Sequence, residues 1–387
     1  MARRYAILAL AFLTACSGGT HSSASGSPPL APAYAGPLAT TSFTFVLPAK
    51  TSSSTQAVSA TRGTASATRH PAYLTTNVQS VTIALNTVNG AAPPAGLTTS
   101  VTSNINLAGC PCTISGPAVP PGTDAFSVAT YDASNAGGNE ISEATTSATI
   151  VSGTANSVPV VLDGIPASLS ISALPSGAAG TPFGTPQSFT LAVKDADGNT
   201  ITGTYATPVT LTDSDTSSVT LGTALTVNGG SPASSVVSTS SSDTIALSYG
   251  GLAIAPATIG ASATGATGAT ATFTPTLSPI VYSPGSGANA SGEEIDLYAA
   301  SGTGSSGAFS VSEVGYSNAP YNKTFTASLG SGCSTIATAA PPTGTAFTAT
   351  VVGSPSVGTC TLSVADGGLH TPLSVTLTYT TSSIGAN

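Results

Sequence analysis

Phe189-Thr190-Leu191-Ala192-Val193-Lys194-Asp195-Ala196-Asp197-Gly198-Asn199 alternates large apolar residues with small or polar ones for six positions and then breaks into turn formers. A period of two puts Phe189, Leu191 and Val193 on one face of an extended chain. Asp, Gly and Asn favour tight reversals. Pro208-Val209-Thr210-Leu211 follows as the start of a returning strand. The string therefore reads as a β-hairpin with one buried face.

The same grammar recurs in both directions. Upstream, strands are expected at Val78 to Asn86, Asp124 to Tyr131, Ser147 to Ser152 and Ser157 to Leu162. Around the hairpin they are expected at Ala167 to Ala173, Ser188 to Lys194, Pro208 to Thr212, Asp243 to Tyr249, Thr258 to Ala263 and Thr270 to Thr274. Downstream come Phe309 to Glu313, Lys323 to Leu329, Ala346 to Val352, Gly358 to Ala365 and Leu373 to Thr380. Turn residues separate them, and no segment sustains a capped 3.6-residue period. The 387 residues include 42 glycines, 28 prolines and no tryptophan, with 6% charged and 40% hydrophobic. A soluble domain usually carries about 25% charged residues, so Ser, Thr, Asn and Gly must supply the polar surface. That composition suits strands rather than helices.

Two stretches carry resemblances. Val193, Asp195, Gly198 and Asn199 resemble the V-x-D-x-x-G-N hairpin of bacterial Ig-like (Big) domains. Pro120-Pro121-Gly122 leading into Phe126, Val128, Tyr131 and Asp132 resembles the prealbumin-like and Ig-like modules of bacterial surface proteins. The expected fold class is all-β: tandem Ig-like β-sandwiches behind an N-terminal signal peptide and a flexible tether. Modules are expected at 72–165, 166–276 and 277–387, each the size of one such sandwich.

The N-terminus has Arg3 and Arg4, an apolar run from Tyr5 to Leu13, and Leu13-Thr14-Ala15-Cys16. This is the layout of a secretory signal. The run is far shorter than the ~20 apolar residues of a membrane span. Its ending, Leu-x-Ala-Cys, resembles the lipobox of bacterial lipoproteins. That resemblance implies cleavage after residue 15, a diacylglycerol on the Cys16 thiol and an acylated new N-terminus. At about 0.8 kcal/mol per buried methylene, several acyl chains hold a protein on a membrane. Residues 16–71 are expected to be anchor and low-complexity tether, with a possible strand at 42–47. The protein is expected to be exported and lipid-anchored, facing outward from the envelope.

Losing Arg3 and Arg4 from the seven basic residues leaves five against fifteen acidic ones. That balance repels phosphate backbones, so nucleic acid is excluded as a partner. Expected partners are the membrane, through the lipid, and a cell-surface protein or glycan. Setting Cys16 aside leaves four cysteines in a compartment that permits disulfides. Cys333 and Cys360 share the third module and should pair. Cys110 and Cys112 read first as a structural crosslink, second as a free dithiol.

Catalytic motifs are sparse. There is no Gly-x-Ser-x-Gly, no His-Glu-x-x-His and no Gly-Lys pair. His21 and His70 fall in low-complexity stretches, and His370 reads as a solvent-facing turn residue in Gly-Gly-Leu-His-Thr-Pro. Asp195, Asp197 and Asn199 begin like a calcium loop, but Thr204 stands where the closing Glu should be. They are a weak metal candidate beside the hairpin reading. Asp213 with Asp215, and Glu293-Glu294 with Asp296, are further acidic pairs. No cofactor is expected. The favoured function is a non-enzymatic envelope protein displaying Ig-like modules for adhesion, ligand binding or envelope structure. The alternatives are a carbohydrate-active enzyme using paired carboxylates and a passive spacer or assembly subunit. With 5% aromatics, platforms for sugar stacking are scarce.

Overall fold

The computed structural model describes residues 33–45, 73–105, 112–287, 292–298 and 306–381. Among these the regular structure is strand, with two short 3-10 turns at Ser134–Ala136 and Cys333–Thr335. The strands form three sandwiches. Ser80–Val88 shows why: Val81, Ile83 and Leu85 are buried, while the Thr82 and Ala84 positions between them face partly outward. Apolar residues every second position give each strand one face for a core.

In the first sandwich one sheet holds Ser100–Asn104, Ser80–Val88, Gly122–Tyr131, Glu140–Ile150 and Asp163–Gly164. The opposing sheet is Cys112–Ser115, Thr41–Phe45 and Asn156–Val160. Phe43, Phe45, Ile83, Phe126, Val158 and Val160 fill the space between them. The expectation of a tether reaching residue 71 is therefore corrected. Thr41–Phe45 is a full member of the first module, antiparallel to Cys112–Ser115 and parallel to Asn156–Val160. The alternation Thr-Ser-Phe-Thr-Phe puts both phenylalanines on one face, and that face is worth too much buried area to leave in water.

In the second sandwich the strand expected over Ser188 to Lys194 is split. Gln187–Phe189 joins Ile245–Tyr249, whereas Leu191–Lys194 joins Ser168–Ile171 in a separate two-stranded sheet. Thr190 is the corner. Its N–H donates to Ser172 Oγ and its carbonyl accepts from Ser172 N–H, so the sheet change leaves no backbone group unpaired. The third sandwich sets Val281–Pro284, Ser306–Ser312, Ala346–Val351 and Ala337–Ala340 against a second sheet. That sheet holds Glu294–Tyr298, Leu373–Thr380, Gly358–Ala365, Phe325–Leu329 and Thr343–Gly344. Its core includes Phe309, Phe325, Phe347, Leu362 and Leu377. Cys333 and Cys360 are disulfide-bonded there, their Cα atoms 5.2 Å apart.

The modules are not beads on a string. Asp163–Gly164 pairs antiparallel with Ser142 and Glu143 of the first sandwich, and Gly164 pairs parallel with Tyr205 of the second. One sheet thus runs through the expected boundary at 165/166. The second and third modules meet backbone to backbone where Ala253 N–H donates to Gly315 O at 2.7 Å, beside the second module's own Gly180 N–H to Gly251 O bond. Tyr321 Oη donates to Gly250 O at 2.7 Å.

Gly315 is the tightest point of this seam. Its φ is +75°, and a Cβ there would run into the Gly251 carbonyl and the Gly180 amide. Backbone atoms cannot step aside as a side chain can, and the left-handed φ adds strain. Gly315→Val should therefore pry the seam open. Protease cleavage between residues 274 and 280 should rise several-fold with far-UV circular dichroism unchanged. Unaltered cleavage would mean that the seam does not depend on this contact.

Candidate functional site

Among the described residues, a close group of chemically capable side chains lies in the third module, beside that seam. Strand Ser306–Ser312 ends at Glu313, whose N–H donates to Ser317 Oγ at 3.1 Å while its carbonyl accepts from Tyr316 N–H. Strand Gly358–Ala365 ends at Asp366. The next two residues, Gly367 and Gly368, have φ of +79° and +93°, a reversal open to glycine at little cost. The reversal lets Asp366 Oδ1 accept from the N–H groups of Leu369 (3.0 Å) and His370 (3.1 Å). His370 is thereby folded back, and its Nδ1 lies 2.7 Å from Asp366 Oδ2 and 3.6 Å from Glu313 Oε1.

Both acid side chains are fully buried, and the imidazole is 25% exposed. Burial pushes the Glu313 carboxyl up to about 7, helped by the Asp366 carboxylate beside it. Burial also works to raise Asp366, but hydrogen bonds from the His370 ring and backbone N–H outweigh it and leave Asp366 below its ordinary range. Neither oxygen of Glu313 has a hydrogen-bond partner. The nearby Lys323 is engaged elsewhere: Nζ donates to Ala253 O at 3.3 Å and sits 5.3 Å over the Tyr316 ring.

The reading of His370 as a solvent-facing turn residue is thus corrected, since the ring is clamped by Asp366. The available signal was Asp366-Gly-Gly-Leu-His370: an acid followed by two turn formers can cap its own loop and fetch a residue four positions on. Nothing in the sequence linked this loop to Glu313, 53 positions earlier; the approach of two strand ends does that.

Asp195, Asp197 and Asn199 are placed differently from a cation loop. Asp195 is 2% exposed and its oxygens are already taken. Oδ1 accepts from the N–H groups of Asp197 (3.0 Å) and Asn199 (2.8 Å), and Oδ2 from Tyr73 Oη (2.7 Å) and Asn199 Nδ2 (3.3 Å). Tyr73 enters the second module's core from the first module's side, so Asp195 buckles the two together. Burial and this carboxylate hold the Tyr73 hydroxyl above its ordinary value. Asp197 faces Asp132 across the same junction; burial and the Asp132 charge raise it. The weak metal candidate is in fact an interdomain fastening.

Asp213 Oδ1 accepts from Asp215 N–H, and Glu294 Oε1 from Thr378 Oγ1, both structural roles. Cys16, Cys110, His21 and His70 lie outside the described residues, as does the side chain of Cys112. A shallow groove of about 270 Å³ between the second and third modules is lined by Asp215, Ile254, Lys323 and Leu369 among others. That is below the usual range for a small-molecule site.

No family model matches the chain, and no curated protein matches it either. Among solved structures, a β-glucuronidase from Parabacteroides merdae aligns at 11% identity with a TM-score of 0.21. The alignment covers 51% of this chain and 21% of that one, so this chain spans about a fifth of the enzyme's length. An I-band fragment of titin aligns at 9% identity over 80% of this chain and 89% of its own, TM-score 0.24. Domains 4 and 5 of the S-layer protein SbsC align at 12% over 55% and 96%, TM-score 0.20. Likenesses this slight leave function to the chain's own residues.

Proposed function

We propose that this chain is a non-catalytic, lipid-anchored protein of the bacterial envelope whose sandwiches form a stiff outward-facing unit for adhesion, ligand contact or envelope architecture. The observation that carries the reading is the way the modules are fastened. One sheet runs through the first and second, and the Ala253–Gly315 backbone hydrogen bond, with the Tyr321 and Lys323 side chains donating to backbone carbonyls, ties the second to the third. Such fastening suits a body that holds a surface away from a membrane and transmits force. Three further features support it. The Leu-x-Ala-Cys16 segment supplies an anchor. Among the described residues no helix is long and apolar enough to cross a membrane. The close Glu313–Asp366 pair is sealed from solvent, whereas a glycan-cleaving pair must flank a substrate across an open cleft.

Cys16→Ala should move the protein from the membrane fraction to the soluble one, or leave it held by an uncleaved signal, and abolish labelling by radioactive palmitate. Equal labelling of wild type and variant would overturn the anchor. Binding of the full chain to host cells or glycan arrays separates adhesion from a purely architectural role.

A further inference from the structure

We propose that Glu313, Asp366 and His370 form a binding site for a divalent transition-metal ion of the zinc class, which staples the third module together. Three observations carry this. One donor atom from each residue lies within 4.8 Å of the others. The Glu313 carboxylate is fully buried, has Oε1 directed at His370 Nδ1 across 3.6 Å, and accepts no hydrogen bond at either oxygen. The imidazole closes the cluster on its solvent side and is the part open to water, giving an ion a way in.

Two buried carboxylates side by side need positive charge between them. A proton shared between Glu313 and Asp366 satisfies one Glu313 oxygen and orphans the other. A metal ion can engage both. The spacing also suits one. Ligands at about 2.0–2.2 Å from a tetrahedral zinc lie about 3.5 Å from each other. Here His370 Nδ1 stands 2.7 Å from one acid and 3.6 Å from the other, and all three donors lie within 4.8 Å, so side-chain shifts of about an ångström convert the hydrogen-bonded cluster into a chelate.

The imidazole decides the class of ion. Calcium and magnesium take oxygen donors, whereas two carboxylates with one imidazole suit zinc, manganese or ferrous ions. On binding, the imidazole coordinates as the neutral Nε2–H tautomer through Nδ1, Glu313 releases any proton it holds to solvent, and a water fills the remaining coordination position. Three chain segments become joined: the end of Ser306–Ser312, the end of Gly358–Ala365, and the loop carrying His370. Gly315 and the seam to the second module lie two residues from Glu313.

The test uses the full chain in detergent, in a His21→Ala, His70→Ala background, stripped with chelator. Zn²⁺ is titrated by calorimetry and Co²⁺ by visible absorption. One equivalent should bind, with Co²⁺ giving ligand-field bands and Zn²⁺ raising the melting temperature of the third module. Glu313→Gln and His370→Gln should each weaken binding at least tenfold while keeping the far-UV spectrum, since loss of even supporting contacts around a metal costs 10–100-fold. No saturable uptake by about 1 mM, the weak extracellular regime, would overturn the proposal. Uptake unchanged in both variants would place the metal elsewhere and overturn it too. So would Ca²⁺ binding as tightly as Zn²⁺. If Zn²⁺ has no effect and Glu313→Gln alone stabilises the module, a shared proton holds the cluster instead.

Discussion

Phe43→Ala should cost the first sandwich about 3–5 kcal/mol, the range for emptying a buried aromatic position. A domain's whole stability is about 5–15 kcal/mol, so the first module should melt separately and early. Phe43 is fully buried, and its ring meets Phe126 of the opposing sheet edge-on, centroids 5.1 Å apart. Gly116 lies against the same ring; a Cβ there would overlap it, so the ring is enclosed by backbone as well as by side chains. Little around the site can collapse into the space. Leu38, nearly half exposed five residues earlier, is the control: Leu38→Ala should stay within about 0.5 kcal/mol, as surface substitutions usually do. Urea melts followed by circular dichroism and tyrosine fluorescence compare the two. If Phe43→Ala were as silent as Leu38→Ala, residues 41–45 would be tether after all.

That strand also shows how far the sequence could be read. Ser42 to Leu47 alternates visibly, so a strand was legible there, but its partners were not. Pairing with Cys112–Ser115 and Asn156–Val160 bridges more than 60 and more than 110 positions, and period-2 patterning carries no information about which strand lies alongside. Strands with clean alternation and large apolar residues were found within a few positions, Gly358–Ala365 and Leu373–Thr380 among them. Some of those missed are polar: Ser235–Ser240 is Ser-Val-Val-Ser-Thr-Ser and borders Thr204–Asp213 with one residue buried; Thr223–Val227, buried at four of five positions, was missed as well, and of Glu140–Ile150 only the end was read. The corner at Thr190 was hidden because a strand that changes sheets keeps its apolar rhythm. The Glu313–Asp366–His370 cluster was hidden for a related reason. Each residue sits at a strand end or in a loop, where sequence alone predicts solvent. Only the packing of two sheets brings the ends together and buries them. Asp195 erred the other way: its turn chemistry was read correctly, yet the donor filling its last lone pairs, Tyr73, comes from another module.

Removing the Cys333–Cys360 bond should melt the third sandwich well before the other two. The bonded residues are 27 positions apart, and closing a loop of that length restricts the unfolded chain by about 3.5 kcal/mol in the chain-entropy account. The folded state loses as well. Cys333 is fully buried and Cys360 nearly so, with Ile336 and Leu362 in the same core. Alanine at both positions deletes two sulfurs and leaves a void that the surrounding strands fill only in part. The 3-10 turn Cys333–Thr335 has no side-chain cap, so the bond fixes this turn to strand Gly358–Ala365 together with one backbone hydrogen bond, Gly330 N–H to Thr361 O. Scanning calorimetry of the Cys333→Ala, Cys360→Ala variant should show one transition moved down by many degrees, with the transition of the fused first and second modules in place. Reductant added to wild type should reproduce the shift. A non-reducing digest should yield the Cys333–Cys360 peptide. A peptide joining either cysteine to Cys110 or Cys112 would instead tie the third module to the first, and a double variant that melts like wild type would show that the core alone holds this sandwich.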